Sequence, residues 1–196
     1  MPSLEAVCGK LFGSSGWMPK VLLGGLLSFI PVLNLFALGY LLEYARRLRR
    51  FNQWELPDWN KMELPILLIS GIRMLLLFLT WVGLPLLVGW ILSILLQTLS
   101  FGLLGIVSYF PLAVTGFAGP FLLLSSIHAY LRDGLFSDSW QIRRVVREAF
   151  DTWPKLYLPI LAFWGIFLLA LPLYGLSLFL GLWVLLAYST ILQLSL

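Results

Sequence analysis

Two stretches of this chain leave little choice of solvent. Between Leu64 and Leu131 the single Asp, Glu, Lys or Arg is Arg73, and between Leu156 and Leu196 there is none. A helix rises about 1.5 Å per residue, so about 20 apolar residues cross a hydrocarbon core about 30 Å thick. Each stretch exceeds that length. With 60% hydrophobic residues, 11% charged residues and a mean hydropathy of +0.94, the chain carries more apolar surface than a soluble core of 196 residues can bury. It reads as an all-α polytopic integral membrane protein.

The charges follow a membrane plan, so the net charge of +4 is no sign of nucleic-acid binding. Ten of the thirteen Lys and Arg residues fall in two polar segments. One holds Arg46, Arg47, Arg49, Arg50 and Lys61 with Glu43, Glu55, Asp58 and Glu63; the other holds Arg132, Arg143, Arg144, Arg147 and Lys155 with Asp133, Asp138, Glu148 and Asp151. The connections near Gly83, Ser100 and Tyr174 carry no charge. The positive-inside rule places the N-terminus and both basic segments in the cytoplasm. Residues 1–20 contain Glu5 and lack a long apolar core, so they read as an interfacial segment and not as a cleavable signal.

The apolar text is written twice. At an offset of eighty, Leu23, Gly25, Ser28, Pro31 and Gly39 fall on Leu103, Gly105, Ser108, Pro111 and Gly119. After an indel, "WNKMELPIL" from Trp59 matches "WPKLYLPIL" from Trp153 at six of nine positions. Leu matches mean little in such sequence; the Gly, Ser, Pro, Trp and Lys matches carry the weight. The reading is two membrane repeats, 21–99 and 101–196, an organisation common among membrane folds. Each long run, interrupted at Gly83–Pro85 or Leu171–Gly175, is expected to form a helical hairpin. Each Pro/Gly-broken segment, if both basic segments share one side, re-enters that side. That gives four full crossings plus two broken membrane segments. The competing reading, six crossings in an inverted repeat, rests on the 24 residues from Val21 to Tyr44, which suit one kinked helix.

The second linker predicts an amphipathic helix over about 139–150. Ile142, Val145, Val146, Ala149 and Phe150 recur at helical spacing, with Arg143, Arg144 and Arg147 elsewhere on the helix. Two readings stand: a helix in the lipid interface with its arginines near anionic headgroups, or a connector packed on the protein's own cytoplasmic face.

The stretch "IPVLNLFALGYLLEYARR", followed by "ELPDWNKMELPILLISGIRMLL", resembles an uncharacterised prokaryotic integral-membrane family, a domain of unknown function. The matching positions are Ile30, Pro31, Asn34, Gly39, Tyr40, Leu56, Pro57, Asp58 and Trp59. The resemblance is good over about residues 17–75 and implies a multi-pass bacterial or archaeal membrane protein, hence a prokaryotic inner (cytoplasmic) membrane. It brings no activity and no catalytic residues with it.

Few side chains invite a ligand. Arg73, deep in an apolar run, must be offset by a headgroup, a solute or several carbonyls. Asn34 lies in the Pro31–Gly39 break, where its amide could meet a substrate or unwound backbone. His128, beside Ser125, Ser126 and Tyr130, is a third position, although a proton relay there needs a carboxylate at depth. Gly25, Gly105, Ser28 and Ser108 read as sites of close helix packing. One His and one Cys (Cys8) offer no metal cluster or internal disulfide, and no catalytic grouping is legible, so neither a metal, a cofactor nor an enzyme activity is expected. The expected partners are membrane lipids, anionic headgroups among them, and other membrane proteins. The function expected is that of an accessory or membrane-organising subunit; the alternative is a lipid or apolar-solute transporter or scramblase acting between the repeats.

Overall fold

The structure is a computed structural model that describes residues 3–194, and every described regular element is helical. The α-helices are α1 (Leu4–Phe12), α2 (Trp17–Leu27), α3 (Pro31–Phe51), α4 (Leu64–Phe78), α5 (Leu84–Leu99), α6 (Phe110–Asp133), α7 (Ile142–Leu169) and α8 (Tyr174–Leu194). Four helical stretches are long and apolar enough to cross a membrane: Leu64–Leu99, Gly105–Asp133, Ile142–Leu169 and Leu171–Leu194; α2 is a shorter apolar helix. The chain is an all-α integral membrane protein. Among the described residues four candidate spans are found, but they are not the four expected: Leu64–Leu99 is one continuous stretch where a hairpin was expected, and Gly105–Asp133, expected to re-enter, is long enough to cross.

Gly83–Pro85 does not turn the chain. Pro85 lacks the N–H that would close one helical bond. The preceding Leu79–Gly83 widens into a π-turn, with the Leu84 N–H reaching back to the Leu79 carbonyl. One π-turn re-spaces the carbonyls around the proline, and the helix continues from α4 to α5. Pro120 is likewise absorbed inside α6. The Pro31 break, by contrast, is real. Ile30 is extended, as a residue before proline prefers, and Ser28 Oγ donates to the Gly24 carbonyl at 2.8 Å to close α2. Pro31 then opens α3, where its missing N–H costs nothing.

The compact units do not follow the two halves of the sequence. One comprises residues up to Leu75 together with Lys155 onward; the other is Leu76–Pro154. In the first unit α8 is the central helix. Its most apolar window is 67% buried, against 22% for Leu64–Leu99, whose leucines and isoleucines therefore face outward. Trp183, Phe179, Tyr40 and Tyr44 fill the core. Small residues bring backbones together here: a Cβ on Gly24 would strike the Phe179 ring, and one on Gly175 would lie 2.6 Å from the Gly25 carbonyl oxygen. The end of α7 and α8 form the hairpin expected at Leu171–Gly175, tied where the Tyr188 hydroxyl donates to the Lys155 carbonyl at 3.4 Å.

The second unit is a hairpin of α5 and α6. Gly89 packs against Thr115 and the Pro111 carbonyl, and Ser93 Oγ accepts from the Leu112 N–H at 3.3 Å. The connecting turn is tight, with Phe101, Gly102 and Gly105 all at positive φ. Trp81, 7% exposed, donates its indole N–H to the Ser139 carbonyl at 3.1 Å.

The repeat-matched glycines Gly25 and Gly105 play different parts. A Cβ on Gly25 would lie 2.9 Å from Leu176 Cα, a contact between α2 and α8. Around Gly105 nothing lies within 4 Å, and its φ of +49° is what makes glycine suitable. Close packing at Gly105 was expected and is absent, because this position lies in the α5–α6 turn. Gly25→Leu should therefore melt well below Gly25→Ala, whereas Gly105→Ala and Gly105→Leu should each cost about 1–2 kcal/mol regardless of size. Thermal melting in detergent checks this; a size-dependent loss at Gly105 would show that a packed neighbour exists there.

Candidate functional site

In the first unit, Tyr40 of α3 and the motif residues Leu56–Trp59 come together, whereas Ile30, Pro31 and Asn34 lie at the start of α3. The Tyr40 hydroxyl donates to the Pro57 carbonyl at 2.7 Å, and its ring stacks on Trp59 with centroids 3.9 Å apart. The Trp59 indole N–H donates to the Lys20 carbonyl at 3.2 Å. Lys20 Nζ donates to the Leu56 carbonyl at 2.6 Å and pairs with Asp58 at 2.9 Å, while Lys61 takes the other Asp58 oxygen at 2.8 Å. Lys20 of α2 thus engages Leu56, Asp58 and Trp59, and Tyr40 of α3 engages Pro57 and Trp59, so the four residues together clasp α2 to α3. Beside the clasp opens a cavity of about 490 Å³ walled by Lys20, Arg47, Trp54, Glu55, Asp58 and Lys61 among others.

The Asp58 carboxyl is held at about 2, below its ordinary value of 3.8, by hydrogen bonds from Lys61 and then Lys20. A depressed carboxyl stabilises the folded state above its unfolded value and loses that contribution as pH falls through its folded value. The clasp should therefore loosen between about pH 4 and pH 2. Melting temperature against pH should fall less steeply over that window in Asp58→Asn; parallel curves would mean that the carboxylate carries none of the acid sensitivity.

The second unit carries an arginine cluster around a cavity of about 800 Å³. Three carboxylates serve two arginines. Arg144 reaches Asp133 at 3.2 Å, Asp138 at 3.5 Å and Glu148 at 3.4 Å; Arg132 reaches Asp133 at 3.4 Å and Glu148 at 3.7 Å. Arg143 and Arg147, one turn apart on α7, are exposed, and among the described residues no carboxylate lies within ion-pair distance of either. Beside them Ile142 and Phe150 are 67% and 73% exposed, while Val145 and Ala149 on the opposite flank are buried.

The amphipathic helix begins later than about 139 and does not stop at 150. Residues Phe136–Trp140 form a 3-10 turn, and α7 runs unbroken from Ile142 to Leu169. The Asp138–Gln141 pair acts just before the helix. The Gln141 amide donates to Asp138 at 3.1 Å, and the Gln141 carbonyl accepts from Val145 at 2.9 Å. The arginines therefore sit on the polar extension of a spanning helix, not on a separate interfacial one.

The remaining sequence candidates lie on three different helices. Arg73, partly buried on α4, and His128, partly buried on α6, are each engaged within the chain. Asn34 lies in the first turn of α3, and its Oδ1 is buried without a hydrogen-bond partner. None of the three lines either polar cavity above. Glu43 is the residue that the sequence concealed. It is 8% exposed, and its Oε1 accepts from Ser70 on α4 at 2.5 Å and from Arg46 at 2.6 Å. Cys8 lines an apolar cavity of about 170 Å³, where burial pushes its thiol up and away from reactivity.

Residues 23–190 match the model of a family described as protein of unknown function (DUF4013). The chain belongs to the DUF4013 family. That assignment agrees, from residue 23 onward, with the resemblance read from residues 17–75 and extends it into α8, to residue 190. In this DUF4013 chain the clasp around Asp58 joins a charged loop to two helices through four consecutive residues. No curated protein and no solved structure matches the chain.

Proposed function

We propose that this protein is a non-enzymatic, membrane-organising component that holds anionic lipid headgroups at the start of α7, with its N-terminus and both basic segments in the cytoplasm. The supporting observation is how the arginine cluster divides its charge. Asp133, Asp138 and Glu148 are used on Arg132 and Arg144, leaving Arg143 and Arg147 exposed beside two exposed apolar side chains. Guanidinium groups at headgroup level, with Phe150 and Ile142 reaching toward the acyl region, suit an anionic membrane surface. An accessory role within a larger membrane assembly is compatible with the same face.

The test uses the intact protein in nanodiscs of phosphatidylcholine with and without phosphatidylglycerol, with retained lipid read by native mass spectrometry. At about 1 kcal/mol per basic residue near the surface, Arg143→Gln/Arg147→Gln should lower the preference for phosphatidylglycerol on the order of thirtyfold. No preference in the unaltered protein would refute the reading. Transfer of labelled lipid between leaflets of proteoliposomes would favour the transporter or scramblase alternative. Single cysteines at Ser137 and Gln53, with Cys8 replaced, should label only in permeabilised cells; labelling from outside would reverse the orientation.

A further inference from the structure

The cavity beside the Asp58 clasp holds more hydrogen-bond donors than the protein uses. An ammonium has three N–H donors and a guanidinium five. Lys20 uses two, on Asp58 and on the Leu56 carbonyl, and Lys61 uses one, on Asp58. Arg47 is partly buried, and the acceptor that its Nη2 reaches is the soft sulfur of Met62, at 3.4 Å. Among the described residues no carboxylate lies within ion-pair distance of Arg47. Of the two carboxylates on the wall, Asp58 has both oxygens occupied and Glu55 is exposed. Lys10 Nζ lies 4.6 Å from the ring centroid of Trp54, itself a wall residue.

Among the described residues the acceptor reached by Arg47 is a thioether, so most of its five donors are left for a ligand in the cavity. The complement that these donors require is anionic and rich in acceptors. Asp58 already supplies a carboxylate's two oxygens to two lysines; a phosphate group brings three terminal oxygens to Arg47, Lys61 and the remaining Lys20 donor. A cavity of about 490 Å³ has ample room for such a group. We infer that the cavity walled by Lys20, Arg47 and Lys61 is a phosphate-binding site, taking its phosphate from a lipid headgroup or from a free ion. This site belongs to the first unit and does not depend on the α7 arginines.

The test titrates the detergent-purified full chain with inorganic phosphate and, separately, with dihexanoyl phosphatidic acid, using dihexanoylglycerol as the phosphate-free control. Calorimetry and native mass spectrometry give the readout. Saturable binding of either phosphate carrier is expected, weakened at least about tenfold by Arg47→Gln or Lys61→Gln. Arg47→Lys, which keeps the charge but loses the fork, should fall in between. Arg143→Gln/Arg147→Gln should leave this binding unchanged, which separates its failure from failure of the α7 reading. Binding of inorganic phosphate supports a soluble source, and binding of phosphatidic acid alone supports a headgroup. If neither binds, or if binding survives Lys61→Gln, a change at a side chain that is 77% exposed, the inference is overturned.

Discussion

Gly39→Ala should cost about 3 kcal/mol or more, and Gly71→Ala about as much, although each adds one methyl group. Both residues lie where α3 and α4 touch backbone to backbone. A Cβ on Gly39 would overlap the Leu67 carbonyl oxygen and lie 2.8 Å from the Gly71 N, while a Cβ on Gly71 would overlap the Leu35 carbonyl oxygen. No flexible side chain can swing aside to relieve either contact. The helices themselves must separate, and with them the Glu43–Ser70 hydrogen bond. Melting in detergent with size-exclusion profiles measures the effect. Gly165→Ala is the control, since a Cβ there meets nothing within 4 Å. Equal melting of Gly39→Ala and Gly165→Ala would mean that α3 and α4 are not in backbone contact.

The contrast among glycines shows where reading the sequence stops. Membrane residence was plain from charge spacing alone, because an apolar run of that length has one solvent. The interruption before Pro31 was legible, since a proline and its predecessor both disfavour a continuing helix, but the break expected to run on to Gly39 is absent: α3 is helical from Pro31 to Phe51, Asn34 included. Proline cannot announce the outcome at Gly83–Pro85, where the decision between a turn and a π-turn depends on whether the freed carbonyls find donors nearby. Gly25 and Gly105 are equivalent as letters and differ in tertiary setting, one in a helix seam and the other in a turn. The clasp was partly legible: Asp58 as a wet residue and Trp59 as an anchor follow from residue type, but the partners Lys20 and Tyr40 are tertiary facts. Glu43 was hidden by company. It stands three residues before Arg46 in a charge-rich stretch, and residue type and spacing alone do not separate a buried pair from a solvated one.

Glu43→Ala is expected to lower stability by about 2–3 kcal/mol, below the range for a fully buried ion pair because the Arg46 side chain remains 26% exposed. The acid lies eight residues before the end of α3, or about 12 Å along the helix from its polar end. At that depth Oε1 joins two helices, accepting from Arg46 on its own helix and from Ser70 on α4. Removing it takes the carboxylate from Arg46 and the acceptor from a Ser70 that is 2% exposed. Glu43→Gln keeps an acceptor for Ser70 and gives up only the charge, so it should be the milder variant. Arg46→Ala should also destabilise, by leaving a buried carboxylate with one hydroxyl to answer it. If the pair acts as a unit, Glu43→Ala/Arg46→Ala will cost less than the two single changes together, by about 1–2 kcal/mol. Unfolding titrations in mixed detergent and SDS micelles supply the four free energies. Additive losses would show that Glu43 and Arg46 act separately, and that the hydrogen bond to Ser70 alone holds the acid in place.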